Sequence, residues 1–420
     1  LALTLALPLG ACSGPGASQE LSNEPVTLRF TWWGGDARQK RTQEVIDLFT
    51  KAHPNITVKG EFKDWNGYWD SLATTVAAND APDVIQMDEL YLSSYAGRGA
   101  LLDLGTATKF LATKDFDPNA LATGVVDGKQ YALPVGLSAY SIVVNTDLLA
   151  KYNIPLPDDA TWTWDDLRAI GDRVSKASGG TVTGVQSWGF DVGGVNIWAR
   201  QNGASLYDEK GNVVIPPAVL ASYWTYLADL AKAGVAPAPS VTIERANGGL
   251  NQSGTATNTS AFGTWWNTQL TALSAASKDK LTLLRLPGES KAATPGAYFK
   301  PSMYWSVSSR TKHPAEAALL VDFLANNDAA NNILLTERGI PANNRIRQAI
   351  TDKLTETDKA AAAYLSGVTI GSAPRVTPKG ASNIEAILKR HTEDVLFGRA
   401  TPQAAAESFI KELQAEINAA

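Results

Sequence analysis

Cysteine, methionine and histidine are almost missing from this 420-residue chain, which has one, two and three of them respectively. The single thiol, Cys12, excludes an internal disulfide framework. His53, His313 and His391 lie far apart and offer no metal-ligand spacing, so any metal would need oxygen ligands alone. A Gly-x-Ser-x-Gly elbow, a Walker lysine loop and a Gly-x-Gly-x-x-Gly fingerprint are also lacking, which leaves nucleophilic catalysis and nucleotide cofactors without a motif. No cofactor is expected. Charge of one sign is scarce too: 37 basic residues against 42 acidic ones give a net charge of -5, with no long run of either. Nothing supplies the basic stripe that releases phosphate counterions, so nucleic acid is excluded as a partner.

What the chain does have is length, tryptophan and an apolar beginning. At roughly 150 residues per domain, its length points to two or three lobes, each able to fold without staples. Tryptophan occurs 12 times, as often as tyrosine and more often than phenylalanine, an excess that asks for a use beyond core filling. Residues 1–11, LALTLALPLGA, are too short to span a bilayer, which takes about 20 residues, but suit the h-region of a signal peptide. With no charged n-region ahead of it, the sequence reads as starting inside a longer precursor. Leu9-Gly10-Ala11-Cys12 resembles the bacterial lipobox, in which the cysteine is lipidated; the other reading is a small buried cysteine. The polar stretch that follows suits a flexible tether over residues 12–25.

From Val26 the apolar pattern alternates through Trp32, which predicts a strand, and Gly34-Gly35-Asp36 breaks it and offers a helix N-cap. Val45, Leu48, Phe49 and Ala52 mark the first helix, 56–62 a second strand, Trp69, Leu72 and Val76 a second helix, and Pro82–Met87 a short buried strand. This alternation implies a parallel sheet with helical crossovers. Thr163 with Asp166 forms a capping-box-like pair, which explains Asp165 and Asp166 better than acid/base catalysis does. Later helices are predicted over 314–325, 329–338, 383–397 and 402–417, the last opened by Thr401-Pro402. Asp115-Phe116-Asp117-Pro118-Asn119 begins like a calcium loop but lacks the glycine and the closing glutamate, so it reads as a turn. Trp69, Trp224 and His391 read as core, and Trp162 and Trp164 as the staple of a helix entrance.

In this order and spacing, several short motifs resemble the family-1 extracellular solute-binding proteins of ABC sugar importers, the relatives of maltose-binding protein. They are Ala81–Asp88 (APDVIQMD), Leu101-Leu102-Asp103-Leu104, Asp127-Gly128-Lys129 with Tyr131–Pro134, Asn145, Pro157 with Thr163-Trp164, Phe262–Trp265 and Gly339-Ile340-Pro341. The resemblance runs from Val26 to about Arg345. It departs at Phe299–Trp305, where the family has paired glycines, and at 251–260, where a basic-then-small segment is replaced by polar residues. The resemblance implies an α/β fold of the two-lobed type II periplasmic-binding-protein kind, each lobe a mixed, mostly parallel sheet flanked by helices. One lobe would hold 26–137 plus 303–345 and the other 138–302 plus 346–420, with crossings near Gly136, Met303 and Arg345. It also implies a lipid-anchored, extracytoplasmic monomer, facing a periplasm or the cell surface, that binds a small carbohydrate without turnover and hands it to membrane permease subunits.

A sugar offers C–H faces that pack on aromatic rings and hydroxyl edges that need donors and acceptors, so its pocket needs both kinds of group. Ligands of open α/β sheets sit beyond the carboxyl ends of the strands. Those ends, with the resemblance, nominate Trp32 and Trp33; Trp65 and Tyr68 just ahead of the second helix; and Asp88, Glu89 and Tyr91. In the second lobe they nominate Ser138, Tyr140, Asp191 and Asn196 in a loop before Trp198, Trp265 as a stacking residue, Trp266 and Asn267. Tyr304 and Trp305 come from the returning segment. Two rivals stay open. A secreted glycoside hydrolase would need two carboxylates at about 5–5.5 or 6.5–9.5 Å, and no sequence pair announces itself. The same fold could hold a polyamine, a polyol, a metal chelate or a phosphate ester, and Asp88, Glu89 and Asp191 among aromatics would suit a cation.

Overall fold

The computed structural model describes residues 20–420, so the signal-like stretch, Cys12 and most of the tether lie outside the described residues. The first sheet has six strands in the order Ile340–Pro341, Leu133–Ser138, Lys300–Val307, Val84–Met87, Val26–Trp33, Ile56–Lys63. The alternating strand Val26–Trp33 lies one in from the edge and pairs in parallel with both Ile56–Lys63 and Val84–Met87. Strands returning from elsewhere in the chain run the other way: Lys300–Val307 is antiparallel to both its neighbours, and Ile340–Pro341 is antiparallel to Leu133–Ser138. The second sheet, Leu281–Leu284, Tyr140–Asn145, Ser260–Trp266 and Thr183–Val185, has one parallel pairing, between its last two strands. The sheets are therefore mixed, and antiparallel pairs outnumber parallel ones. The periodicity of a strand says nothing about the direction of its neighbour.

Each sheet builds its own core. Leu28, Phe30, Trp32, Val45, Phe49 and Trp305 are fully buried on the first, and Ile142, Leu167, Val174, Trp224, Leu227 and Phe409 on the second. Ile346, Ile350, Leu354, Ala361, Ala362 and Leu365 join the first core, whereas the sequence reading placed everything after Arg345 in the second lobe. The first core thus extends to Leu365, and buried residues of the second core resume at Ala381. Gly136 and Met303, near which the other two crossings are expected, pair with each other on adjacent strands of the first sheet, with a register shift on either side of Met303. Space there is tight: a Cβ on Gly136 would lie 2.1 Å from the Arg338 carbonyl. Arg338 is itself buried, donating to Gln86 and Thr42 at 3.0 and 2.9 Å and lying over Trp305.

Local signals in the chain are mostly realised. Thr163 and Asp166 form a reciprocal capping box at the start of Trp164–Ala177, and Thr401 caps Pro402–Ala419. Asp117 caps the short helix Pro118–Ala122, the turn read at that calcium-like stretch. The break at Gly34-Gly35-Asp36 supplies Gly35 as the N-cap of Asp36–Ala52. One boundary differs. The helix expected over 329–338 ends at Leu334, because Leu335 takes a left-handed φ of 49°. His391 is core, with Nε2 at 3.0 Å from Glu412 and its ring near Trp224 and Phe409.

Candidate ligand-binding cleft

A cavity of about 830 Å³ opens between the two sheets, within the range of small-molecule sites, roughly 300–1,000 Å³. Its first-lobe wall comes from the carboxyl end of Val84–Met87. There Asp88 leaves the strand and caps the helix Glu89–Gly97, accepting from the Leu90 N–H at 2.9 Å. That cap turns Glu89 into the cavity, where its carboxylate holds the Lys300 ammonium at 2.7 Å. Lys300 is the first residue of the returning strand, half-buried, with its ammonium 5.6 Å from the Trp266 ring centroid. Burial works against its charge, but Glu89 and Asp88 outweigh it and hold the ammonium well protonated.

The second-lobe wall is built from the end of Ser260–Trp266 and the start of the helix Val192–Gln201. Asp191 caps that helix through the Gly193 N–H at 2.7 Å, and its other oxygen accepts from Trp266 Nε1 at 3.1 Å. Trp266 is thereby fixed across the cavity, edge-on to Tyr140 at 4.7 Å and to Tyr298 at 5.9 Å. Gly193 is required by this contact, since a Cβ would meet the indole at 2.6 Å. One and two turns further along the same helix, Asn196 and Arg200 line the cavity, and Arg200 lies over Tyr298. Burial is the first cause raising the carboxyl pKa values of Asp88, to about 6, of Asp191 and of Glu385; Glu89 adds to it at Asp88, and Asp191 adds to it at Glu385. The cavity thus combines aromatic faces and polar groups, with the carboxylates of Glu89, Asp191, Asp208, Glu209 and Glu385 outnumbering the cations Arg200, Lys300 and Arg375. Among the described residues no group of His, Cys, Asp and Glu is placed to hold a metal ion.

Of the residues nominated from sequence, Glu89, Asp191, Asn196, Trp266 and Tyr304 line this cavity. Asp191 and Asn196 do so from a helix and its cap rather than from a loop. Trp265 faces the other side of its strand. With Tyr140, Trp188 and Arg245 it lines a separate recess of about 280 Å³ within the second lobe, its Nε1 bonded to Thr255 at 2.9 Å. Trp33, Trp65, Tyr68 and Tyr91 gather around Trp69 in one first-lobe aromatic cluster, and Trp65 and Tyr68 lie inside the helix Trp65–Ala77 rather than ahead of it. Only Trp65 in that set is exposed, at 38%. Trp32 and Trp305 are core residues with no exposed surface. Ser138 and Asn267 are structural ties: Ser138 donates to the Lys300 carbonyl, and Asn267 bridges Ala139 N–H and the Ala361 carbonyl. Asp88 caps its helix without lining the cavity.

Sequence reasoning missed Lys300, Tyr298, Arg200 and Glu385. Lys300 lay in the Phe299–Trp305 departure from the family pattern, which was the signal available. Arg200 stands four residues after Asn196, so the helical repeat alone puts the two on one face.

With the cleft between two mixed sheets established, comparison with known proteins is decisive. A model of the bacterial extracellular solute-binding protein family matches residues 35–331. The chain belongs to that family. An extracellular solute-binding protein family 1 structure from Alicyclobacillus acidocaldarius is 30% identical, with a TM-score of 0.78 over 94% of this chain and 99% of that one. The periplasmic oligogalacturonide-binding protein of Yersinia enterocolitica shares the fold at 24% identity, with a TM-score of 0.82 over 94% of this chain and 99% of its own. Among curated relatives, an uncharacterized lipoprotein of the oleD 5′ region in Streptomyces antibioticus is 28% identical over 42% of this chain and 39% of its own length. The diacetylchitobiose-binding protein DasA of Streptomyces coelicolor is 31% identical over 29% of each. This chain therefore spans well under half the length of those curated relatives. The architecture is that of the type II periplasmic binding proteins, and the family is one of binding proteins. No helix among the described residues is long and apolar enough to cross a membrane.

Proposed function

We propose that this family member is the extracytoplasmic carbohydrate-binding component of an ABC import system, capturing a mono- or oligosaccharide in the interlobe cavity and delivering it to permease subunits as a monomer tethered through lipidated Cys12. The observation that carries the reading is the Trp266 constellation. An indole fixed by Asp191 faces a cavity whose other wall, Glu89 and Lys300, belongs to the opposite lobe. A ligand touching both walls gains contacts available only when the lobes are together, the condition for binding to drive closure. An aromatic face surrounded by carboxylates, an amide and an ammonium matches a pyranose's two kinds of surface. The carbohydrate ligand of DasA and the name lipoprotein on the Streptomyces antibioticus relative point the same way. We place the lobe division at the strands carrying Gly136–Tyr140 and Tyr298–Lys300 and in the segment after Gly367.

The test is a thermal-shift panel of sugars, sugar alcohols and oligosaccharides, including diacetylchitobiose, followed by calorimetry. A ligand at 100 times its Kd stabilises by about 2.7 kcal/mol; a panel without a single shift defeats the carbohydrate reading. Release of reducing ends during incubation would replace binding by hydrolysis. A second reading, an amine-bearing solute, is favoured by one observation: Asp88, Glu89, Asp191 and Glu385 all act on a single lysine, Lys300. Spermidine and deacetylated chitobiose in the same panel distinguish it.

A further inference from the structure

The third passage between the lobes is built unlike the other two. The first passes directly between the strands Leu133–Ser138 and Tyr140–Asn145, and the second joins the strands Leu281–Leu284 and Lys300–Val307 through residues 285–299, which hold no strand. Residues 368–383 instead join the helix Glu356–Gly367, whose Ala361, Ala362 and Leu365 sit in the first core, to Ile384–Leu396, whose Ile384, Ile387 and Leu388 sit in the second. No helix or strand occurs between them. Connections beyond about 12–15 residues without structure of their own are uncommon in compact domains and are usually lids or binding loops. This one runs along the ligand side: Ser372, Pro374, Arg375, Val376 and Thr377 form a wall of the cavity.

Its attachments divide between the lobes. Val376 packs against the first-lobe aromatic cluster that contains Trp33 and Tyr91. Arg375 donates to Glu209 of the second lobe at 2.5 Å, with side-chain exposures of 55% and 85%. Pro378 lies against Gly211, two residues further on from Glu209. At its start, the Gly371 N–H donates to the Ala297 carbonyl beside the second crossing, at 2.9 Å. An exposed ion pair and one half-buried valine are individually weak, so each contact can open without unfolding either core. Both are made together only while the lobes stand as they do here.

We propose that segment 371–378 is a latch, seated on the first lobe by Val376 and on the second by Arg375–Glu209, which holds the lobes together across the cavity mouth and lifts to let solute pass. The latch rests on the solute-binding reading for its purpose, but its mechanics are tested without any ligand. In a Cys12→Ser background, spin labels at Glu44→Cys and Asp229→Cys, on exposed faces of helices Asp36–Ala52 and Pro217–Lys232, report the interlobe distance by double electron–electron resonance. Glu209→Arg is expected to shift the distribution to longer, broader distances by setting two cations together, and the swap Glu209→Arg with Arg375→Glu is expected to restore it. Val376→Asp should lengthen it independently. A parental distribution in both Glu209→Arg and Val376→Asp, or a Glu209→Arg shift that the swap fails to reverse, overturns the latch. Absence of any sugar binder in the thermal-shift panel would leave this outcome unaffected.

Discussion

Two pairs of adjacent tryptophans end strands in the two lobes, and their fates differ. In the first lobe Trp32 is sealed in the core between Phe30 and Phe62, while Trp33 turns into an aromatic cluster that packs mainly on itself. In the second lobe neither indole is sealed: Trp265 lines a recess and Trp266 the interlobe cavity. Strand alternation separates the members of each pair, placing neighbours on opposite faces. What lies beyond each face then decides the role. The outer face of the first pair meets the helix Trp65–Ala77, whose Trp65, Tyr68 and Trp69 occupy the space a ligand would need. In the second pair Trp266 is held by Asp191 between Tyr140 and Tyr298 with a face left on the cavity, and Trp265 is tied to Thr255 beside the recess. In this chain a strand-end aromatic is available to solute where the helix packed against it starts with small residues, as at Gly193-Gly194, and unavailable where that helix starts with large ones, as at Trp65–Ala77.

The largest effect should come from the sealed residue. Trp32→Ala is expected to cost about 3–5 kcal/mol of unfolding free energy by denaturant titration, with ligand affinity per folded molecule unchanged; a smaller loss would show that this indole is not the buried partner in its pair. Next, Trp266→Ala should lower affinity for whichever sugar the thermal-shift panel selects by about 2 kcal/mol, roughly 30-fold, with little change in melting temperature. Trp265→Ala, measured by the same calorimetry, should cost under about 1 kcal/mol of affinity; a reversed order would move the principal site from the interlobe cavity to the second-lobe recess.

The last effect concerns charge. Asp88 titrates near 6 in the folded chain because burial, reinforced by Glu89, opposes its ionisation, against about 3.9 in an unfolded chain. Between about pH 4 and 6 the folded state holds more protons than the unfolded state, so the stability associated with this group falls as pH rises through that window. Asparagine removes the penalty and keeps an acceptor for the Leu90 N–H. Asp88→Asn should then be more stable than the parent above pH 6, with the difference vanishing below about pH 4 in parallel denaturation curves.

Local order left clear marks on the chain. The Thr163–Asp166 box, the Thr401-Pro402 start and the alternation of Val26–Trp32 each depend on contacts within a few residues, which a sequence displays directly. Parts of the site were visible for the same reason: Glu89 follows a buried strand, and Trp266 ends another. The rest depended on distance in space. Lys300 acquires its role by meeting Glu89 and Trp266, residues far from it in sequence. The reach of the first core past Arg345 was hidden because Ile346, Ile350 and Leu365 look equally apolar whichever core receives them.

By itself, then, the sequence determined the element types, the caps, the absence of disulfide and histidine-metal chemistry, and a family whose members bind solutes. Those are properties of residue identity and short spacing. Only the tertiary structure decided which of Trp265 and Trp266 faces the interlobe cavity, that Lys300 lines it against Glu89, and that residues 372–377 form part of its wall. Alternation says that two neighbours face opposite ways, but not which way the cavity lies. That choice is made where two separately built cores meet, through long-range contacts that no local pattern encodes.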